Sequence, residues 1–321
     1  MRPIGPDGPL HARLDGLLRR FSHEDNAEPV LTDDVHVITG FGPTNAPTAG
    51  SLSVMLGIID LQQRLQRPVT VVISELGAWN SRNVPWSRLV AVRDQMTAFL
   101  LELGFDTKSG EVRSHLDLGN LTRAGKLARF LTRQDFVEHR EDLLELYGSH
   151  GLLGSEIGVT VDALYTVADI LGPAENGATQ ILMVSGLEEA YFTQLARIAL
   201  RRQADAGDLT LGWRAEIGAL YFRVLPGLAG YPKMSKSIPA SAVHVGMSPD
   251  DLAAKICADE PGDQEALLEA VSLASGWAPE QIEAARRAYA ARHENPDGWR
   301  QVKQNYLDTF LGFAKLWQQC G

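Results

Sequence analysis

The pentapeptide Lys233-Met234-Ser235-Lys236-Ser237 follows a loop of small residues at positions 226–232. Glycines leave the backbone of that loop free to move, and prolines bound it at both ends. Each lysine is a compact positive charge on a flexible stem, which suits a polyphosphate whose charge redistributes. The serine hydroxyls add hydrogen-bond donors for the same oxygens. The pattern predicts a polyphosphate-binding loop, and the alternative is a solvated surface loop that carries two lysines by chance.

A second phosphate-binding arrangement is predicted upstream, at residues 35–59. The β-branched run 35–39 stops at Gly40-Phe41-Gly42, which is typical of a buried strand that ends in a tight loop. A helix with one apolar face follows Ser51. Free backbone N–H groups and the positive end of the helix dipole point out together at such a junction. The alternative is an ordinary strand-to-helix connection.

Both segments resemble motifs of one family. The pentapeptide resembles the KMSKS signature of class I aminoacyl-tRNA synthetases. Residues 42–51 resemble the first signature of the tryptophanyl and tyrosyl members, roughly Pro-Ser/Thr-Gly-x-x-Thr/His-x-Gly-Asn/His. The positions that match it in register are Pro43, Thr44, Thr48 and Gly50. Asn45 replaces the usual glycine, and Ser51 replaces the Asn or His that contacts ATP in the family.

The resemblance implies a role for each residue of the two motifs. Lys233 and Lys236, with Ser235, are the catalytic groups that stabilise the departing pyrophosphate. The ATP-binding residues that it implies are Gly42, Thr44, Thr48, Gly50, Ser51, Met234 and Ser237. ATP is expected to bind with Mg²⁺, and the sequence predicts no metal site made by the protein itself.

A strand predicted at residues 69–74 is apolar enough to be buried on both faces. It runs into a segment whose side chains follow the carboxyl end of the strand, where ligands bind in an open parallel sheet. The side chains placed there to touch substrate are Glu75, Trp79, Asn80 and Arg82. The family often has Asp-x-His-Ala here, which this chain lacks. We favour the alternative that these side chains pack or cap the loop.

Asp169 lies among apolar residues in the segment 158–171. An uncompensated carboxylate is costly there, so it needs a helix N-terminus, a basic side chain or a ligand donor as partner. The segment resembles the family's Tyr-Pro-x-x-x-Ala-Asp-Ile-Leu, whose Asp accepts the indole N–H in bacterial tryptophanyl members. Asp162 stands where the family usually has a pocket tyrosine, and Thr166 where it often has Met or Gln. The resemblance therefore implies an amino-acid pocket that is more polar, with a capping role for Asp169 as the alternative.

Residues 180–186 predict another buried strand, followed by a helix through Arg197. The layout resembles the family's Val-Gly-x-Asp-Gln…Leu-x-Arg segment, in which Gly186 matches and Glu189 replaces the Gln that binds the amino acid. The resemblance implies that Gly186 and Glu189 belong to the amino-acid site. A glutamate there keeps the reach of Gln and adds a charge that attracts an ammonium group.

The chain is expected to have three parts. Residues 1–30 predict an N-terminal extension on the surface. Residues 31–240 predict an α/β catalytic domain with a Rossmann-type parallel sheet and a helical insertion, in which residues 113–150 are helical without a site signal. Residues 241–321 predict a C-terminal helical domain that resembles the anticodon-binding domain, with helix starts at Ser248 and Ala278. Its candidate basic face comprises Arg286, Arg287, Arg292, Arg300 and Lys303, with scattered solvated charges as the alternative.

Composition limits the partners and the cellular compartment that we expect for this protein. The chain has 321 residues and a net charge of −10, so a nucleic-acid partner must meet a local basic face. Cys257 and Cys320 lie far apart without metal-ligand spacing, which favours a reducing compartment and argues against a zinc site. No apolar run approaches a membrane span, and the N-terminus lacks a signal-peptide core. We therefore expect a cytoplasmic protein that does not bind a membrane.

The hypothesis with most support is a ligase of protein biosynthesis similar to tryptophanyl-tRNA synthetase. The resemblance implies that it activates an amino acid, most simply tryptophan, with ATP, transfers it to tRNA, and works as a homodimer. A second hypothesis is a paralogue that activates another amino acid for a specialised pathway or for resistance to an inhibitor. A third is a non-catalytic regulator that binds an amino acid or a nucleotide, and a fourth is a small nucleotidyltransferase. The sequence does not identify the amino acid or the tRNA.

Overall fold

The computed structural model describes residues 1–4, 9–14, 16–138 and 148–321. Within these residues the chain forms one sheet of seven strands and thirteen α-helices. The strands are β1 (Arg2–Pro3), β2 (Phe21–Asp25), β3 (Val35–Phe41), β4 (Val69–Ile73), β5 (Gly110–Ser114), β6 (Gln180–Gly186) and β7 (Glu216–Phe222). The helices are α1 (Pro9–Leu14), α2 (Ala27–Val30), α3 (Ala49–Leu65), α4 (Glu75–Ser81), α5 (Trp86–Glu102), α6 (Leu118–Leu127), α7 (Arg133–Glu138), α8 (Glu156–Glu175), α9 (Ala190–Ala204), α10 (Pro249–Ile256), α11 (Gln264–Ala274), α12 (Pro279–Ala290) and α13 (Pro296–Gln319).

The sheet confirms the predicted Rossmann-type architecture. Its strand order is β1-β2-β7-β6-β3-β4-β5, and the five strands from β7 to β5 are parallel. From β3 the chain adds β4 and β5 on one side and then returns to place β6 and β7 on the other. The direction of winding therefore changes between β3 and β6, and the carboxyl ends of these strands are where an open α/β sheet binds ligands.

The central strands form because their residues are β-branched and apolar. All five residues of β4 are buried, as the sequence predicted for a strand covered on both faces. Val37 pairs with Val69 on one side, and Val35 pairs with Gln180 of β6 on the other. Packing of apolar side chains on both faces fixes this register.

The N-terminal segment is not the surface extension that we expected. Strand β2 enters the sheet antiparallel to β7, with Phe21 opposite Phe222 and the two ring centroids 4.6 Å apart. The side chains of Leu14, Phe21 and Val30 are buried. The sequence did not indicate this strand, because the residues around β2 are mostly polar. The strand forms by pairing with β7, about two hundred residues away in sequence.

Residues 113–150 also differ from the prediction of a helical segment without a site. The chain enters this region from β5, an edge strand parallel to β4, and continues through α6 and α7. Residues 139–147 of the predicted segment lie outside the described residues. The end of β5 carries Arg113, and His115 follows directly; both side chains contact Asp169.

The described chain divides into two compact units. The first comprises Met1–Thr44, Ile58–Arg93 and Phe105–Arg223 and holds the whole sheet. The second comprises Asn45–Gly57, Asp94–Gly104 and Val224–Gly321 and holds the pentapeptide and helices α10 to α13. The predicted functional boundary at residue 240 stays a prediction.

The helices of the second unit begin where the sequence predicted. Ser248 caps α10 by accepting a hydrogen bond from the Asp251 N–H at 3.1 Å, and Pro279 opens α12. Helix α13 buries an aromatic face, which comprises Trp299, Tyr306, Phe310 and Trp317.

The expected basic face of the second unit is only partly supported. Lys303 is 1% exposed and pairs with Asp259, because its stem lies on the buried side of α13. Arg300 pairs with Asp297 at 2.9 Å. Arg286 and Arg287 of α12 are exposed and lie within 4 Å of glutamates, and Arg292, which follows α12, is half-buried with its guanidinium over the Tyr289 ring.

Helix α8 is, among the described residues, the one helix long and apolar enough to cross a bilayer by length and composition. Its apolar half is buried inside the first unit, with Val167, Ala168 and Leu171 fully enclosed. The helix therefore has the burial of a core helix.

Candidate active site

The pentapeptide forms a tight turn with a buried base. Residues Ser235 and Ile238 pair across the turn, so Lys236 and Ser237 lie at its tip. The Ser235 N–H donates to the Ser241 hydroxyl at 2.9 Å, and that hydroxyl donates to the Ile238 carbonyl at 2.8 Å. Met234 and Ser235 are buried, whereas Lys233, Lys236 and Ser237 are half-buried. These hydrogen bonds therefore fix the backbone of the turn, and the two lysines remain partly accessible.

The loop before the pentapeptide is closely packed. A Cβ atom at Gly227 would lie 2.6 Å from the Tyr231 Cβ and 2.7 Å from the Lys233 carbonyl oxygen, so glycine is required for space. Ala229 has a φ of 53°, a left-handed conformation that is uncommon for a residue with a Cβ. Its N–H donates to Asp263 at 2.7 Å. The sequence suggested a mobile glycine loop, and the structure shows one held by specific contacts.

Thr48 has a structural role that the sequence did not indicate. It is 1% exposed, and its hydroxyl accepts from the Ser51 N–H at 3.2 Å, which caps the start of α3. The Ala49 N–H donates to the Val243 carbonyl at 3.0 Å. In the first turn of α3, the Gly50 N–H has no hydrogen-bond partner within the described residues. That amide is the one at this helix start that is open to a phosphate oxygen.

The two sequence motifs meet inside the second unit. The Asn45 side-chain amide donates to the Lys236 carbonyl at 3.3 Å. A Cβ atom at Gly50 would lie 3.9 Å from the Met234 Cβ. A short antiparallel bridge joins Thr48 to His244. Asn45, one of the two departures from the family signature, is thus the residue that links the motifs, a contact that glycine cannot make.

Gly42 and Thr44 belong to the first unit, at the end of β3. Both are half-buried. A Cβ atom at Gly42 would lie 3.8 Å from the Ser74 hydroxyl, an ordinary contact distance, so packing alone does not require glycine there. Their predicted contact with ATP stays a prediction.

The first unit contains a buried cluster of charged side chains around Asp169. The Arg113 Nη1 atom lies 2.5 Å from Oδ1 of Asp169, and the His115 Nε2 atom lies 2.5 Å from Oδ2. The carboxylate thus has the basic partner that its burial demanded. Sequence reasoning missed both partners. An Arg-Ser-His run that follows a short alternating segment is the signal that would have found them.

His115 is held from two sides. The Gly77 N–H donates to its Nδ1 atom at 3.2 Å, so the neutral ring carries its proton on Nε2 and donates it to Asp169. Burial by itself lowers the pKa of His115, but the carboxylates of Asp169, Asp162 and Glu75 outweigh it and raise the pKa above 6.5. The ring of Tyr165 lies edge-on against the imidazole, with centroids 5.9 Å apart.

Asp162 lies against α4, beside His115. A Cβ atom at Gly77 would lie 2.1 Å from its Oδ1 atom, so glycine is required there. Burial raises the pKa of Asp162. The hydrogen bond from the Ser81 hydroxyl acts to lower this pKa, but the effect of burial is larger. Thr166 donates its hydroxyl to the Asp162 carbonyl at 3.1 Å, within α8. The structure therefore brings Asp162, Thr166 and Asp169 onto one helix, with the two carboxylates close to His115.

The side chains that follow β4 were expected either to contact substrate or to pack and cap the loop, and they differ in this respect. Glu75 is fully buried, accepts hydrogen bonds from Ser114 and Arg93, and keeps its Oε2 atom without a partner among the described residues. Trp79 is 48% exposed and packs edge-on against Trp86, 5.8 Å away. Asn80 donates to the Leu76 carbonyl. Glu75 alone of these three lies in the charged cluster, and the other two pack or cap.

Gly186 and Glu189 lie at the end of β6, next to the change of winding direction. A Cβ atom at Gly186 would lie 2.4 Å from a carboxylate oxygen of Glu188, which folds back over it. Glu189 is the residue before α9 and is half-buried. Arg197, further along α9, is structural, because it binds Asp25 at 2.5 Å and the Ile217 carbonyl at 2.7 Å. The substrate contacts of Gly186 and Glu189 stay predictions.

No protein-family model matches the sequence, and no curated protein matches it significantly. Solved structures do match. A tryptophanyl-tRNA synthetase from Encephalitozoon cuniculi, bound to tryptophan, is similar with a TM-score of 0.72 and 17% identity, over 99% of this chain and 91% of that one.

Two further structures extend this likeness. A tryptophanyl-tRNA synthetase from Giardia lamblia has a TM-score of 0.71 and 17% identity, over 99% of this chain and 90% of that one. A tyrosyl-tRNA synthetase from Archaeoglobus fulgidus, complexed with L-tyrosine, has a TM-score of 0.70 and 17% identity, over 97% of this chain and 100% of that one. At these identities the likeness shows the fold.

Proposed function

We propose that this chain, which has the fold of the tryptophanyl- and tyrosyl-tRNA synthetases, activates an amino acid with ATP and transfers it to tRNA. The observation that carries the proposal is the contact between the two motifs, made by the Asn45 amide and the Lys236 carbonyl. It places a helix start with an open Gly50 N–H in the same compact unit as a turn that carries two lysines.

The chemistry requires positioning and charge stabilisation more than an acid or a base. An oxygen of the amino-acid carboxylate attacks the α-phosphorus of ATP, the α–β bridge bond breaks, and pyrophosphate leaves. Lys233 and Lys236 stabilise the negative charge that the leaving pyrophosphate gains, and Ser235 holds the turn on which they lie. A ribose hydroxyl of tRNA then attacks the acyl carbon, and AMP leaves.

Magnesium enters this scheme only as the ion that ATP carries. The described ranges contain no group of three or more His, Cys, Asp or Glu side chains that could hold a metal ion. Mg²⁺ is commonly bound through substrate phosphates with few protein ligands. The phosphate oxygens of ATP would therefore supply its ligands.

Tryptophan is the substrate that the sequence resemblance implies, with Asp169 as acceptor of the indole N–H. A specific observation favours a second candidate, activation of a different amino acid. Both oxygens of Asp169 already accept from Arg113 and His115, so an indole must share a carboxylate that is engaged. Asp162, which is half-buried, adds a second carboxyl close to His115 and Asp169. A pocket built on these groups favours a polar side chain over an indole.

The test is ATP–pyrophosphate exchange with each of the twenty amino acids, with and without total tRNA. Exchange with tryptophan alone supports the tryptophanyl assignment. Exchange with a single other amino acid supports the second candidate. No exchange with any of the twenty, in either condition, contradicts the proposed activation step and favours a non-catalytic binding role.

A further inference from the structure

Two lysines, Lys255, which is half-buried, and Lys303, which is buried, connect the C-terminal helix to the pentapeptide turn, and neither belongs to the two nucleotide-binding motifs. Lys255 lies on α10 and Lys303 on α13. Both belong to the second unit, as does the turn. Each donates to backbone carbonyl oxygens of the next segment along the path, so the contacts form a continuous chain.

The first link is made by Lys255. Its Nζ atom donates to the carbonyls of Pro239, Ala240 and Ala242, at 2.9, 3.2 and 3.0 Å. Three donors of one ammonium thus hold the short helical turn that directly follows the pentapeptide. Burial lowers the pKa of Lys255, whereas acceptance by carbonyl oxygens favours its charged form.

The same helical turn also contacts the pentapeptide through a buried side chain. Ser241 lies in it, is fully buried, and accepts the Ser235 N–H at 2.9 Å. The carbonyls held by Lys255 therefore lie within two residues of the side chain that orders Ser235. A displacement of this turn moves the backbone on which Lys236 is carried.

The second link is made by Lys303, which holds the end of α10. Its Nζ atom donates to the Cys257 and Ala258 carbonyls at 3.3 and 2.7 Å and pairs with Asp259 at 2.7 Å. These carbonyls are at the C-terminus of the helix that carries Lys255, where a cation is favourable. The position of α10, and with it that of Lys255, is thus set by α13.

We infer that Lys255 is a positioning residue for the pentapeptide lysines, and that Lys303 supports it by holding the end of α10. The inference rests on the proposed function, since it concerns the site that stabilises pyrophosphate. Neither lysine is expected to touch ATP. Their effect is to keep the turn of residues 235–238 in the conformation that presents Lys236.

The experiment compares Lys255→Met, Lys255→Arg and the exposed-lysine control Lys315→Met in the full chain. Lys255→Met is expected to lower the kcat of ATP–pyrophosphate exchange by about 10- to 100-fold, since small misplacements of a catalytic group have effects of this size. The KM for the amino acid is expected to stay within about twofold, because this loop does not bind it. Lys255→Arg keeps donors for the carbonyls and is expected to recover much of the loss, and Lys315→Met to behave as wild type.

A second measurement separates this inference from the proposed function. Amide hydrogen–deuterium exchange of the substrate-free protein is expected to be faster at residues 233–242 in Lys255→Met than in wild type and Lys315→Met, with similar thermal unfolding temperatures. Lys303→Met is expected to speed exchange in the same peptides and at the end of α10. Absence of pyrophosphate exchange in wild type contradicts the proposed function alone. Unchanged deuterium uptake at residues 233–242, or an unchanged kcat in an active enzyme, overturns the positioning role.

Discussion

The Nε2 atom of His115 lies 2.5 Å from the Oδ2 atom of Asp169, and both side chains are at least 95% buried. Together with Arg113 on the other carboxylate oxygen, this contact makes Asp169 a fully engaged buried anion. Removing one partner of such a buried ion pair is destabilising, because the remaining charge is left without a partner.

The pKa of His115 is expected to lie above 6.5 because three carboxylates surround the ring. A folded-state pKa that is raised contributes stability that is fully present below the unfolded value and is lost as pH rises through the folded value. The difference in the free energy of unfolding between wild type and His115→Gln should therefore be larger near pH 6 than near pH 9. NMR titration of the His115 ring measures the pKa directly, and Asp169→Asn should reduce the shift. A pKa below 6.5 in wild type would mean that burial and the Gly77 amide outweigh the carboxylates.

Gly77→Ala is expected to destabilise the first unit by about 3 kcal/mol, because the added Cβ would lie 2.1 Å from the Asp162 carboxylate and 3.0 Å from the His115 ring. The matched control is Gly125→Ala on α6, where no atom lies within 4 Å of the added Cβ. That substitution should stabilise by about 0.5–1 kcal/mol, since alanine is the better helix former. Chemical denaturation of both variants is the measurement, and equal effects would contradict the close packing of α4 on Asp162.

Lys236→Ala is expected to lower ATP–pyrophosphate exchange by about two to three orders of magnitude, as loss of a group that stabilises transition-state charge does. The fold should be retained, because Lys236 is half-buried at the tip of a turn whose base is held by Ser235 and Ser241. Circular dichroism and thermal unfolding provide the structural control. An exchange rate equal to that of wild type would remove Lys236 from the catalytic assignment.

Asn45→Ala removes the hydrogen bond between the two motifs. A single neutral hydrogen bond contributes about 1 kcal/mol, so kcat/KM for ATP should fall by about fivefold. The KM for the amino acid should not change, because the contact lies among the ATP-site residues of the second unit. Steady-state exchange kinetics at varied ATP make the comparison. A defect confined to the amino-acid KM would argue that Asn45 acts elsewhere.

Asp135→Asn tests an anchor between α7 and α9 that belongs to neither motif. The Asp135 carboxylate accepts two hydrogen bonds from Arg202, at 2.6 and 2.9 Å, and these bonds with Thr132 lower its pKa to about 2. A lowered folded-state pKa contributes stability that is present above 3.8 and lost as pH falls toward 2. The variant should be less stable by about 1–3 kcal/mol at neutral pH. Its deficit should shrink as the pH falls, and a constant deficit down to about pH 2 would contradict the ion pair.

Local chemistry accounts for the features that were predicted from the sequence. Strands β3, β4 and β6 are mostly apolar segments, and Ser248 with Pro249 forms a helix start that depends only on adjacent residues. The pentapeptide and the strand-loop-helix motif were likewise recognised because their residues are contiguous. Their identities indicated nucleotide chemistry, and the fold agrees with the family that they resemble.

Features that depend on distant partners were not predicted. Strand β2 lies in the sheet because Phe21 meets Phe222, and Lys303 is buried because Asp259 and two carbonyls face it. Asp169 was expected to need a partner, but Arg113 is 56 residues away in sequence and lies on an edge strand that was interpreted as helical.

The sequence by itself determined which motifs this protein carries, where its central strands run and that Asp169 could not stay unpaired, because each of these follows from neighbouring residues and the cost of burying charge. Only the tertiary structure decided that Asn45 joins the two motifs, that Arg113 and His115 neutralise Asp169, and that Lys255 holds the helical turn that follows the pentapeptide. These are contacts between residues far apart in the chain. Their existence depends on how the sheet winds and the helices pack, which a local pattern does not record.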